Sequence, residues 1–139
     1  MPHDPVQVED TLQWLRKAND DLRAAQALID IEPPLFDEIA FHCQQAIEKA
    51  QKGFLYWHKQ PFQKTHDLYL LGLSCCEIDS SLSDIIKPTA KLTEYAVEYR
   101  YPSSAIHPSR NEIDEMIDLA KTVLTEITKR LPLTGEANT

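Results

Sequence analysis

Apolar residues in this chain return at steps of three and four, and nowhere over a useful length at steps of two. Helices bury one face at the first spacing and strands at the second, so this regularity leaves an all-α chain as the expectation. The clearest run is Ile113, Ile117, Ala120, Leu124, Ile127 and Leu131, which stays near a seven-residue repeat and predicts a bundle-type helix. "SRNE" at 109–112 should start it. At that spacing Ser109 and Glu112 can each satisfy the other's backbone N–H, for about 1 kcal/mol.

The same reading predicts four further helices. Val8, Leu12, Leu15, Ala18, Leu22, Ala25 and Ile29 carry the first over 8–30, and "EPP" at 32–34 stops it, since proline lacks the N–H that a helix interior uses. The second runs from about Leu35 to Lys59 on Ile39, Cys43, Ala46, Ala50, Gly53 and Trp57. Glycine inside a helix costs about 1 kcal/mol against alanine, so Gly53 predicts the close approach of another backbone. Thr65 is the expected cap of a shorter third helix through Leu68, Leu71 and Cys75. After a polar "EIDSSLSD" connection, Pro88 opens a fourth along Leu92, Tyr95, Ala96 and Tyr99, which Pro102 ends. The expected architecture is an antiparallel up-and-down helical bundle of four long helices plus a shorter one. Its expected domain spans 8–131, after an N-terminal extension of 1–7 and before a disordered tail, 132–139.

A chain of 139 residues is long enough for one ordinary core without a staple. Its three cysteines, Cys43, Cys75 and Cys76, fit neither a disulfide framework nor a zinc pattern, and are read as reduced structural thiols. No His-x-x-x-His or His-x-x-Glu pair is present, so no metal site is expected. Three glycines make no phosphate loop, which excludes Walker and Rossmann nucleotide binding, and no cofactor is expected. "LYLLGLSCC" is about half a membrane span, and "MPHDPVQVED" lacks the order of a signal peptide. The expected location is cytoplasmic, with no membrane partner. A net charge of −8 disfavours broad adhesion to a polyanion, so any RNA contact has to be local.

Two places could hold chemistry. In the second helix His42, Gln45, Lys49 and Lys52 share one face, and the segment from Lys49 to His66 has four lysines and two histidines without one carboxylate. It is a solvated flank, a local phosphate or nucleotide contact, or a contact for an acidic partner protein. The other place is "EYRYPSSAIHPS" at 98–109, with Arg100 and His107. An arginine near a helix C-terminus gains about 0.3–1 kcal/mol from the macrodipole without any function. It can also hold phosphate beside a histidine that moves a proton.

These segments carry a family resemblance. "FHCQQAIEKAQKGFLYWHKQPFQKTHDLYLL" at 41–71 resembles the hallmark segment of the HEPN domain, the helical domain of higher eukaryotes and prokaryotes proposed to bind nucleotides. "WLRKANDDLRAAQALI" at 14–29 resembles the family's first helix and "YAVEYRYP" its fourth. The resemblance implies a helical bundle, usually a homodimer, and often one half of a toxin–antitoxin-like pair with a minimal nucleotidyltransferase. Many members look like metal-independent ribonucleases whose motif is arginine, then histidine a few residues on. Arg100 and His107 match the longest form of that spacing, but Tyr101 stands where the motif has a polar residue, and Pro102 and Pro108 prevent one continuous helix from holding both side chains.

The first expectation is therefore a protein that binds a nucleotide or RNA phosphate and partners a nucleotidyltransferase. Its expected site is His42, Gln45, Lys49, Lys52, His66 and Arg100, with Tyr101 to stack on a base. The alternative is an endoribonuclease using Arg100 and His107, so whether the chain is an enzyme stays open. A third reading is a dimerisation or adaptor module.

Overall fold

The computed structural model describes residues 3–96 and 107–133. Among them every regular element is helical: α1 (Pro5–Leu28), α2 (Phe36–Trp57), α3 (Leu68–Ile78), a single turn α4 (Ser83–Ile86) and α5 (Arg110–Lys129). Two 3₁₀ stretches, Ser80–Leu82 and Lys87–Ala96, flank α4. Helix α2 is the central element. It packs on α1, α3, α5 and the second 3₁₀ stretch, and its buried set includes Ile39, Ile47, Phe54 and Leu55. Only a flanking strip of α2 reaches solvent, so polar side chains on its buried sides must find partners inside the protein.

The ends of the helices follow from local chemistry. Asp4 caps α1 by accepting from Val6 N at 2.9 Å, with Pro5 in the first turn, so the helix begins inside the expected N-terminal extension. Asp67, not Thr65, caps α3, accepting from Tyr69 N at 2.9 Å and Leu70 N at 3.4 Å. The Thr65 hydroxyl instead accepts from Asp67 N at 3.0 Å and braces the cap. The capping box of α5 forms in both directions, at 3.2 Å from Glu112 N to Ser109 Oγ and 3.0 Å from Ser109 N to Glu112 Oε1.

Further expectations change. The connection "EIDSSLSD" folds into helical turns, and residues 87–96 form a 3₁₀ stretch where a fourth α-helix was expected. Of its buried side chains, Thr89, Leu92 and Tyr95 recur at a step of three, the repeat of a 3₁₀-helix, with Ala96 buried beside the last. The core also runs to Leu133, which is buried, so the chain stays packed two residues past the expected boundary at 131. Gly53 does what its position demands: a Cβ there would lie 2.9 Å from Trp14 Cβ, so its absence lets α1 and α2 close. No helix among the described residues is long and apolar enough to cross a membrane.

Candidate functional site

Six polar residues of α2 fall within roughly 160° of its circumference at 3.6 residues per turn, in the order Gln44, Glu48, Lys52, Gln45, Lys49, His42. One edge of this sector meets α1. There Asp21 receives His42 Nδ1 at 2.8 Å on one carboxylate oxygen and Lys49 Nζ at 2.6 Å on the other. Asp21 is mostly buried, while His42 and Lys49 are about a quarter exposed.

The other edge centres on Glu48, which is 3% exposed. Its Oε2 accepts from Lys52 Nζ at 3.1 Å, and its Oε1 lies 2.7 Å from His66 Nδ1 and 3.1 Å from Gln44 Nε2. Gln44 also donates to the His66 carbonyl at 3.1 Å, and Gln45 Nε2 reaches Gln44 Oε1 at 2.7 Å. These bonds fasten the segment before α3 onto α2. They explain why a fully buried glutamine and a nearly buried glutamate stand on the same side of the central helix, Gln44 and Glu48 each having partners, whereas the amide of buried Gln51 on the same helix has none.

In both clusters a carboxylate fixes a histidine ring by its Nδ1. A carboxylate only accepts, so the Nδ1 proton points inward and the second ring nitrogen is the one available for other chemistry. It can accept from a ligand when the ring is neutral and donate to one when it is protonated. The His66 side chain is 58% exposed, so that nitrogen can be approached from solvent. With neutral histidines each cluster sums to zero charge. Protonating either ring makes its cluster positive.

The expected site residues divide accordingly. The structure brings His42, Gln45, Lys49, Lys52 and His66 into one sector, but Lys52 is a buried counter-ion of Glu48 and not an exposed cation. Arg100 and Tyr101 lie outside the described residues. His107 is exposed, with Nδ1 3.6 Å from Asp37 Oδ1 near the start of α2, and so belongs to neither cluster. Asp21, Gln44 and Glu48 were missed. The acid-free segment begins at Lys49, one residue after Glu48, and the partner on α1 is far away in sequence. A better signal was available: a Gln-Gln-x-x-Glu run on the otherwise buried central helix has to be satisfied from within.

Other chemistry is not prepared. Burial pushes the Cys43 thiol up to about 12 and raises Cys75 further still, so neither supplies a thiolate. Among the described residues no three His, Cys, Asp or Glu side chains gather as a metal would require. A concavity of about 380 Å³ lined by Asp10, Gln13, Trp14, Lys17 and Tyr56 opens between α1 and α2. Lys17 stands one turn before Asp21, so this hollow lies farther along the α1–α2 seam, beyond the Asp21 contact. Tyr56 is fixed there by donating to Asp10 at 2.7 Å.

The family model for the HEPN domain matches residues 11–131. The chain belongs to the HEPN family. Its match takes in most of α1, all of α2 and α5, and every residue of the two clusters. This HEPN chain also resembles the crystal structure of TT1696 from Thermus thermophilus, with a TM-score of 0.73 and 27% identity over 87% of this chain and 98% of that one. No curated protein matches.

Proposed function

We propose that this HEPN protein binds a phosphate group of a nucleotide or RNA on the polar sector of α2, and acts in the cytoplasm beside a nucleotidyltransferase-type partner as one half of a toxin–antitoxin-like pair. The observation that carries the binding reading is the shared geometry of His42 and His66, each held at Nδ1 by a mostly buried carboxylate. Such a ring is pre-oriented and loses little freedom on binding. Gln45 and Lys49 lie between the two rings on the same helix; Lys49 has N–H groups beyond the one that meets Asp21, while the Gln45 amide is bonded to Gln44. The hollow beside Trp14 and Tyr56 offers a base an aromatic surface. The partner rests on family membership alone.

Because each cluster is neutral until its histidine is protonated, an anion should take up a proton as it binds. The test is an equilibrium titration with a short fluorescent RNA, whose diester phosphates do not themselves titrate, across neutral pH and two salt concentrations. Binding should weaken as the pH rises and as salt is added. His66→Ala should lower the affinity about tenfold, and Lys49→Ala should flatten the salt dependence. Equal affinity for wild type and both variants contradicts the reading.

A further inference from the structure

The hollow between α1 and α2 is built from one face of α1. Asp10, Gln13, Trp14 and Lys17 stand at i, i+3, i+4 and i+7, and Tyr56 closes it from α2. Its wall is held in place. The Trp14 Cβ lies against the bare backbone of Gly53, and the Trp14 ring meets that of Phe62 edge-on, with centroids 6.1 Å apart and planes at 74°. Tyr56 donates to Asp10 Oδ2 at 2.7 Å, which fixes the carboxylate and leaves Oδ1 without a donor among the described residues. The Gln13 amide is turned aside, donating to Glu9 Oε1 at 3.0 Å.

A fixed carboxylate beside an aromatic wall takes a flat ligand with N–H groups on its edge. Of the four RNA bases only guanine carries two adjacent donors, N1–H and N2–H₂, on its Watson–Crick edge. Adenine and cytosine set an acceptor nitrogen beside their single amino group, and the N3–H of uracil lies between two carbonyls, so each of them brings an acceptor against Asp10. Guanine also presents O6 and N7 as a pair of acceptors, for which lysine is a suitable donor. Lys17 supplies one. It lies about 10 Å along α1 from Asp10, its stem leans back toward the start of the helix, and it makes no ion pair among the described residues. An arginine side chain would offer Asp10 the same two donors, but its charge is repelled by Lys17.

We infer that this hollow is a guanine-reading subsite for single-stranded RNA, with Asp10 as the specificity-determining residue. The subsite rests on the RNA binding proposed above and names the class of RNA bound. A Watson–Crick edge is free only in an unpaired base, so the ligand is a loop or an end that carries guanine. Asp10 and Asp21 stand three turns apart on α1, about 16 Å along its axis. The base read in the hollow and the phosphate held at the His42 cluster therefore belong to different nucleotides of one strand.

Fluorescence anisotropy with short labelled oligouridines, carrying guanine, hypoxanthine, adenine or uracil at the central position, tests the subsite. Wild type should bind the guanine strand at least tenfold more tightly than the adenine and uracil strands. Hypoxanthine, which keeps N1–H and lacks the amino group, should fall between. Asp10→Asn, which puts an amide donor into the hollow, should bring the guanine strand to the affinity of the uracil strand. If that variant fails to fold, the hypoxanthine comparison reads the same contact in wild type. Equal affinities for guanine and adenine, a hypoxanthine strand as tight as guanine, or a guanine preference that survives Asp10→Asn overturns the guanine reading and leaves phosphate binding standing. Binding of N-acetylarginine amide to wild type and not to Asp10→Asn would then assign the hollow to an arginine of a protein partner. Strands that do not bind at all overturn both readings.

Discussion

Glu48 and His66 meet at 2.7 Å across the junction of α2 with the segment before α3, the carboxylate nearly buried and the imidazole more than half exposed. One residue thus belongs to the core and the other to the surface. The bond between them ties a candidate ligand contact to the stability of the fold.

Glu48→Ala should therefore be costly. It leaves Lys52 as a buried charge with its partner removed, a change that typically destabilises by about 3–5 kcal/mol. Lys49→Ala should cost less, about 1–2 kcal/mol, because Lys49 is partly exposed and Asp21 keeps its contact with His42. Urea unfolding of the two variants gives the comparison. From sequence alone Lys49 reads as an exposed lysine whose loss leaves the thermal midpoint almost unchanged, and the contact with Asp21 is the reason to expect a loss.

Gly53→Ala tests the packing of α1 on α2. Alanine gains about 1 kcal/mol of helix propensity over glycine, but its Cβ would meet the Cβ of Trp14 at 2.9 Å, an atom fixed to the helix backbone. Overpacking of this kind costs about 1–3 kcal/mol. A net loss of stability is expected in thermal melts, and a gain would show that the helices can move apart freely.

The fold was legible where one local rule decides. The Ser109–Glu112 box and the long apolar stripes of α1, α2 and α5 are read from spacing alone. Thr65 alone was expected to cap α3 and Asp67 does so instead, since both side chains can cap and only the backbone path decides which does. The 3₁₀ stretch at 87–96 was missed because Leu92, Tyr95 and Ala96 suit either helix type. At the site the sequence supplied the cations and hid their partners. Asp21 lies 28 residues from Lys49, and no rule of helical spacing reaches that far.

Acid should loosen the start of α5. Bonds from the backbone and side chain of Ser109 hold the Glu112 carboxyl below its ordinary value of 4.5. A carboxyl depressed by folding contributes stability above its unfolded pKa and loses it as the pH falls through the folded one. The difference in unfolding free energy between wild type and Glu112→Gln should thus be full above about pH 5 and shrink at lower pH. A constant difference down to acid would detach Glu112 from the cap.

Arg100 and His107 separate binding from cleavage. If the phosphate reading holds, Arg100→Ala weakens RNA binding and His107→Ala is silent, since His107 faces Asp37 at the surface. Incubation with total tRNA in the presence of EDTA reads the alternative directly. Cleavage that His107→Ala abolishes would make the protein a metal-independent ribonuclease.

The most direct test of the account is the ring nitrogen chemistry of His66. In ¹⁵N-labelled protein at neutral pH, long-range proton–nitrogen correlation spectra should show the Nδ1-protonated tautomer that Glu48 imposes, and saturating RNA should move the Nε2 resonance toward the protonated form. Glu48→Gln, which keeps the shape of the partner and removes its charge, should reduce that shift. An unchanged His66 Nε2 resonance in wild type, under conditions where RNA binding is measured independently, would contradict the account.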